Sequence, residues 1–328
     1  TPLYSSAASD VYKRQVRPPS RAARLVEVQD GALPGGATVF RDGSVLAALA
    51  AQEHHAEAAA ERLARRAVWD ERDTLPQEAA LEAWLRAAPR ETSIVAETQA
   101  ETPAPAHRVK AAFFRPFLAH GSIGPSCAIA RWDGATMEVW SHSQGIYNLR
   151  ADLAKALRLP AESILVHHVE GAGCYGHNGA DDVALDAALI ARAHPATPVR
   201  VQWSRAEELG WSPFSPAMLV EIEAEADQAG TLLRWTQDGI SNGHSSRPGR
   251  GKDPTLLSAS YLAEPFPVPV AINPPAAAGG GIERNAVPAY RAPAKKVAMH
   301  RVLEMPIRAS ALRGLSLIHI SEPTRPRL

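Results

Sequence analysis

Cysteine is nearly missing from this chain: Cys127 and Cys174 are the only two in 328 residues. That is too few for a disulfide framework or a four-cysteine zinc site within the chain. Long apolar runs are missing too, and nothing approaches the roughly 20 residues that span a bilayer. Neither sign of charge is in excess, with 35 Lys+Arg against 35 Asp+Glu. A nucleic-acid partner needs a clustered basic surface, so none is expected here. What remains is a length sufficient for one large or two ordinary domains with real cores.

The two ends read as foreign. Asp10–Gln15 back-translates to GAT GTG TAT AAG AGA CAG and Leu315–Ile320 to CTG TCT CTT ATA CAC ATC, which are the two strands of one sequence. That sequence looks like the transposase end used in shotgun library preparation. Ser5–Ser9 and Ser321–Arg325 extend the match, and Thr1–Tyr4 and Pro326–Leu328 fit short index reads. Such scars are set aside before fold reasoning. Residues 1–15 and 315–328 are therefore expected to be adapter, and Val16–Gly314 an internal piece of a longer protein.

Residues 16–90 read as a small α+β unit. A strand is expected around Leu25–Val28, a tight turn at Asp42-Gly43, a helix over Gln52–Arg66 and a shorter one near Gln77–Ala87. Residues 91–106, rich in Ala, Thr, Glu and Pro and without periodicity, read as a connector. From His107 onward the pattern is richer in strands. "CAIARWDGATMEVWS" is a hairpin through Asp133-Gly134. Leu149, Leu153 and Leu157 recur at i, i+4 and i+8 on a helix that Pro160 ends. Alternation of Val220, Ile222 and Ala224 with Glu221, Glu223 and Glu225 predicts a strand with one wet face.

The sharpest chemical feature is "EGAGCYGHNGADD", Glu170–Asp182, between an expected strand and a small-residue helix. Glycines at 171, 173, 176 and 179 leave backbone N–H groups uncovered, and at a helix start such groups can hold an anion. The other reading is a tight loop with its helix capped by Asn178 or Asp181. Two carboxylates at the helix start compete with a bound phosphate. Neither the Walker loop nor a GxGxxG fingerprint is present. Cys174 and His177 make a C-x-x-H pair with His167 and His168 upstream, but familiar zinc spacing is lacking.

The order of motifs resembles a known family. "RPFLAHGSIGPSCAIARWDGATMEVWSHSQG", "EGAGCYGHNGADD", "PVRVQWSRAEE" and "MPIRASALRG" together are similar to the molybdenum-cofactor subunit of the xanthine dehydrogenase and aldehyde oxidase family. "GCYGHNGADD" and "NGHSSRPG" most resemble its nicotinate dehydrogenase large-subunit branch. The resemblance implies an α+β fold, with a partial α/β hammerhead domain over 16–90 and the first part of a mixed α/β molybdopterin-binding domain over 107–314.

By the same resemblance, Gln144 matches a glutamine that hydrogen-bonds a molybdenum oxo group, although alone it reads as a strand-end amide capping the next helix. Gly171, Ala172, Gly173, Cys174, Tyr175 and Gly176 match a glycine loop lying against the cofactor, with Cys174 replacing an aromatic residue and Tyr175 a glycine. Arg313 matches an arginine beside the cofactor, a fit for pyrophosphate or oxo oxygens. His177, Asn178 and Leu312 fall at substrate-facing positions, where the family's purine-orienting glutamate is not present. His244, Ser245, Ser246 and Arg247 could line the pocket or form a solvated loop. No direct side-chain ligand to metal is expected.

The implied activity is oxidative hydroxylation of an N-heteroaromatic ring or an aldehyde, with water as the oxygen source. The cofactor would be molybdopterin with molybdenum, in its cytosine dinucleotide form. Expected partners are a small subunit carrying 2Fe-2S clusters, a cytochrome acceptor and a small-molecule substrate. The general-base glutamate falls beyond this chain. Two other readings remain: a non-catalytic assembly module that keeps the fold without cofactor, prompted by Cys174-Tyr175, and a zinc hydrolase built on His167, His168 and His177.

Overall fold

The structure is a computed structural model that describes residues 11–29, 31–275, 277 and 280–313. Thr1–Asp10 and the second adapter stretch lie outside the described residues. Strand β4 (Val45–Ala50) shows how the interior is organised, because VLAALA is buried along its whole length. Its two side-chain rows serve different cores: Val45, Ala47 and Leu49 join one cluster, and Leu46 and Ala48 join another. A strand covered on both faces reads as a continuous apolar run.

The larger sheet has seven strands in the order β11-β10-β9-β12-β1-β4-β3. They are β1 (Val11–Val16), β3 (Thr38–Asp42), β4, β9 (Cys127–Trp132), β10 (Met137–Ser141), β11 (Ile164–His168) and β12 (Val199–Gln202). Helix α1 (Glu53–Arg66) lies on β1 and β4, presenting Ala59, Ala60 and Leu63 to the smaller core. Helix α4 (Ala180–Ala193) lies on β9, β10 and β12 and is buried from Ala180 through Ala191. Beside it, α3 (Ile146–Leu157) buries the expected Leu149, Leu153 and Leu157. It ends where Arg158 turns left-handed, φ 54°, two residues before Pro160.

The second sheet has five strands, β6-β16-β15-β14-β7. They are β6 (Arg90–Thr98), β7 (His107–Arg115), β14 (Met218–Ala226), β15 (Leu232–Asn242) and β16 (Ala294–Val302). Helix α2 (Leu81–Ala87) seals Leu219 and Ile240 with Leu81 and Leu85. Two short pairs complete the fold: β2 (Arg24–Val28) with β5 (Ala67–Asp70), and β8 (Leu118–Ala119) with β13 (Phe214–Ser215). Helix α5 (Arg205–Trp211) opens on a Ser204–Glu207 capping box.

The architecture is the expected mixture of helices and sheets, with four differences of detail. Residues 91–98, expected in the connector, form β6 with Arg90 and pair with β16 about 200 positions away; only the long-range partner makes that Thr- and Glu-rich stretch a strand. The seven-stranded sheet crosses the expected boundary near residue 90, since β1, β3 and β4 share it with β9–β12. Strand β14 does not alternate cleanly: Val220 and Ile222 are half-buried, whereas Leu219 is fully buried. Finally, Val11–Gln15, expected to be adapter, supply most of β1, parallel to β12 and antiparallel to β4. A ladder slot between two strands needs only backbone groups. Side-chain fit in this slot is poor, because buried Lys13 has its ammonium on Gln15 (2.9 Å) and burial pushes its pKa down to about 8.

Candidate cofactor cleft

Strands β10 and β11 run parallel, so the loops that follow them emerge at the same sheet edge. One runs through His142, Ser143, Gln144 and Gly145 into α3, and the other from Val169 to Gly179 into α4. A crevice outside the carboxyl ends of parallel strands is the usual ligand position in α/β sheets. Here it is a cleft of about 720 Å³ lined by His142, Ser143, Gln144, His168, Gly171, Gly173 and Cys174, among others.

The glycines are there for close approach. At Gly171 a Cβ would meet the His142 ring at 2.4 Å, and at Gly176 it would meet the Ala311 carbonyl at 2.5 Å. Gly173 has φ +90°, a conformation that disfavours side chains. His142 Nε2 accepts the Cys127 N–H at 3.3 Å, so the ring proton sits on Nδ1; burial lowers the pKa and keeps the ring neutral. Arg313 arrives from the far end of the chain. Its backbone N–H bonds the Tyr175 carbonyl at 2.7 Å, and its guanidinium donates to the Cys174 carbonyl at 3.3 Å and to Gln144 Oε1. Gln144, the Gly171–Gly176 loop and Arg313 are thus brought together.

Other expected residues fall elsewhere. His177 is not at the cleft wall: its ring is buried, with Nε2 3.1 Å from Asp181. Asn178 lines the cleft and spans the loop, donating to the Gly173 carbonyl at 3.0 Å and accepting the Ala180 N–H at 3.2 Å. Tyr175 is partly exposed with its hydroxyl over Gly173, Ala172 packs by Gly124, and Leu312 is exposed beside Arg313. The His244–Arg247 loop is enclosed rather than solvated. Ser246 donates to the Ala309 carbonyl at 2.6 Å, Arg247 donates to the Gly176 carbonyl, and burial pushes His244 down to about 4.

The start of α4 is held by the chain's own carboxylates, which answers the anion-site reading of that helix end. Glu208 accepts the Gly179 N–H at 3.2 Å and the Ser126 N–H at 2.9 Å. Asp182 takes a two-pronged grip from Arg308 at 2.8 and 2.6 Å. Asp186 holds Arg17 at 2.9 Å and the Trp203 indole N–H at 3.0 Å. Nor do His167, His168 and His177 converge: His167 bonds Glu138 at 2.9 Å and stacks on Trp140, His168 faces the cleft, and His177 turns to Asp181. Among the described residues no three His, Cys, Asp or Glu side chains are placed to share a metal ion.

Sequence reasoning missed His120, His142, Glu208 and Arg308. Each acts through a partner far along the chain, and no local spacing marks it. Gln144 offers an amide donor at the cleft and the Arg313 guanidinium lies beside it with N–H groups left over, while Glu170, His142 and His168 line the same space. Donors cannot ligate a bare cation, but they fit an oxygen-rich group such as a pterin-borne oxo metal or a pyrophosphate.

Residues 90–259 match the family described as molybdopterin cofactor-binding domain. A nicotinate dehydrogenase subunit of Pseudomonas putida is 34% identical over 209 residues, 64% of this chain but only 16% of that protein. The aldehyde oxidoreductase molybdenum-binding subunit PaoC of Escherichia coli is 31% identical over 156 residues, 47% of this chain and 21% of its own. Among solved structures, quinoline 2-oxidoreductase from Pseudomonas putida 86 superposes with a TM-score of 0.64 at 16% identity, covering 93% of this chain and 42% of that one. The family match over half the chain leads to one conclusion: this chain belongs to the molybdopterin cofactor-binding domain family.

Proposed function

We propose that this chain supplies the part of a molybdenum hydroxylase that carries Gln144, the Gly171–Gly176 loop and Arg313 to the cofactor. The protein it comes from would oxidise a nicotinate-like N-heteroaromatic or an aldehyde, with water as the oxygen source. The observation that carries this reading is the meeting of three segments, around residues 144, 171–176 and 313, at one cleft. When bound, the cofactor supplies two-electron redox chemistry that no side chain offers. Gln144 would direct its amide at an oxo oxygen, glycine backbone would lie against the pterin, and Arg313 would offer its remaining N–H groups to anionic oxygens. Asn178 fixes the loop's span and lines the cleft, where it would border the substrate.

The cytosine dinucleotide form of the cofactor, a 2Fe-2S subunit and a cytochrome acceptor belong to this proposal, supported by relatives that are subunits of multi-subunit enzymes. The test is a full-length protein made in a host that assembles the cofactor. It is then assayed for dye reduction with nicotinate, quinoline-type heterocycles and aliphatic or aromatic aldehydes. Turnover of one of these classes, with solvent oxygen in the product, supports the reading. A folded, cofactor-loaded protein that turns over none overturns it.

A further inference from the structure

Behind the cleft runs a set of side-chain and backbone hydrogen bonds that none of the readings above assigns. Ser143 donates to Asp181 and accepts the Gly145 N–H at 3.1 Å, so the peptide that follows Gln144 is tied to that hydroxyl. The Ser143 N–H bonds Ser141 Oγ at 3.2 Å, which itself donates to the Ala180 carbonyl at 3.1 Å. Asp181 also holds His177 Nε2 at 3.1 Å. Burial pushes the Asp181 carboxyl up, but hydrogen bonds from His177 and Ser143 prevail and keep it below the usual range. An ionised carboxylate accepts only, so Nε2 of His177 is the donor.

The His177 backbone N–H continues the chain to His120 Nδ1 at 3.0 Å, and His120 Nε2 lies 3.0 Å from the Ser310 carbonyl. A carbonyl oxygen cannot donate, so Nε2 carries the proton of the neutral ring that burial favours, and Nδ1 accepts. The His177 carbonyl, 2.8 Å from Nδ1, is the contact a protonated ring would take. Three residues after Ser310, the Arg313 guanidinium closes the loop on Gln144.

We infer that Ser143, Asp181, His177 and His120 are positioning residues, one buried polar circuit that sets Gln144 and Arg313 against each other across the cleft. Its members come from three separate segments and are joined partly through side chains and partly through the His177 backbone. The functional meaning rests on reading Gln144 and Arg313 as cofactor contacts; the circuit itself does not.

Residue-resolved amide exchange on the cofactor-free chain tests it. In Asp181→Ala, the Ser143, Gly145 and His177 amides should exchange about tenfold faster or more, the effect of losing charge-assisted hydrogen bonds. Amides of the Leu219–Ile240 ladder in the other sheet should be unchanged. Asp181→Asn, which keeps an acceptor for Ser143 and a donor for the other His177 tautomer, should return the cleft amides to within about threefold of the parent. Ser143→Ala, small enough to fold where Asp181→Ala fails, should speed Gly145 selectively. Equal acceleration in both sheets, or unchanged cleft amides, overturns the inference. Because the readout needs no cofactor, a full-length protein lacking molybdenum would defeat the proposed function and leave this result untouched.

Discussion

Three carboxylates on α4 and two of the three on β14 face opposite circumstances. Asp181, Asp182 and Asp186 are buried, and each is joined to a different part of the chain: Ser143 and His177, Arg308, and Arg17 with Trp203. Glu221 and Glu223 lie half-buried on a face open to water, whereas Glu225, in the same row, is buried. They pair with Arg86, with Lys110 at 2.9 Å, and with Arg108 and Arg234, on α2 and neighbouring strands. Water competes for Glu221 and Glu223 and not for the aspartates. The aspartates therefore tie α4 to other parts of the chain, Asp181 to the Ser143 loop of the cleft, and Glu221 and Glu223 mainly keep a sheet face wet.

Breaking the buried side should have the largest effect. Asp182→Ala strands the Arg308 guanidinium in the interior and should cost about 3–5 kcal/mol in denaturant unfolding; Glu221→Ala should stay within about 1 kcal/mol. Lys13 sharpens the contrast with a buried charge that has no carboxylate bonded to it. Its pKa falls from 10.5 unfolded to about 8 folded, so the unfolded state binds more protons between those values. Stability should rise with pH across that window by about 3 kcal/mol, and Lys13→Met should abolish the rise.

Asp186 has the opposite sign. Burial opposes its ionisation, but Arg17 and Lys13 prevail and hold it below the usual carboxylate range. Its contribution is present above the unfolded value near 3.8 and is lost as pH falls through the lower folded value. Asp186→Asn should cost about 1.5–3 kcal/mol at neutral pH and flatten the acid limb of the profile. At the small end, Glu223→Gln should shift stability by less than about 1 kcal/mol, and raising salt toward about 1 M should erase even that.

The same contrast explains what could be read from the sequence. Local patterns were legible: the Asp133-Gly134 hairpin, the leucine row of α3, the glycine loop ahead of α4 and the order of motifs that resembles the family. The boundaries of β6 were not, because a Thr- and Glu-rich stretch becomes a strand only through β16. His177 was expected at the substrate and is turned inward, since Asp181 four residues on offers a buried acceptor on the same side of the helix start. Glu208, Arg308 and His120 work through partners about 29, 126 and 190 positions away, distances over which no spacing rule operates.

The central claim, that Gln144, the glycine loop and Arg313 together form a cofactor seat, is tested most directly by molybdenum and pterin content. Full-length protein from a cofactor-producing host should carry close to one molybdenum and one pterin per chain. The Gln144→Ala/Arg313→Ala pair should lose most of both with its circular dichroism and unfolding midpoint unchanged, as their surface positions allow. An empty parent protein, or a double variant that still binds one molybdenum per chain, would contradict the account.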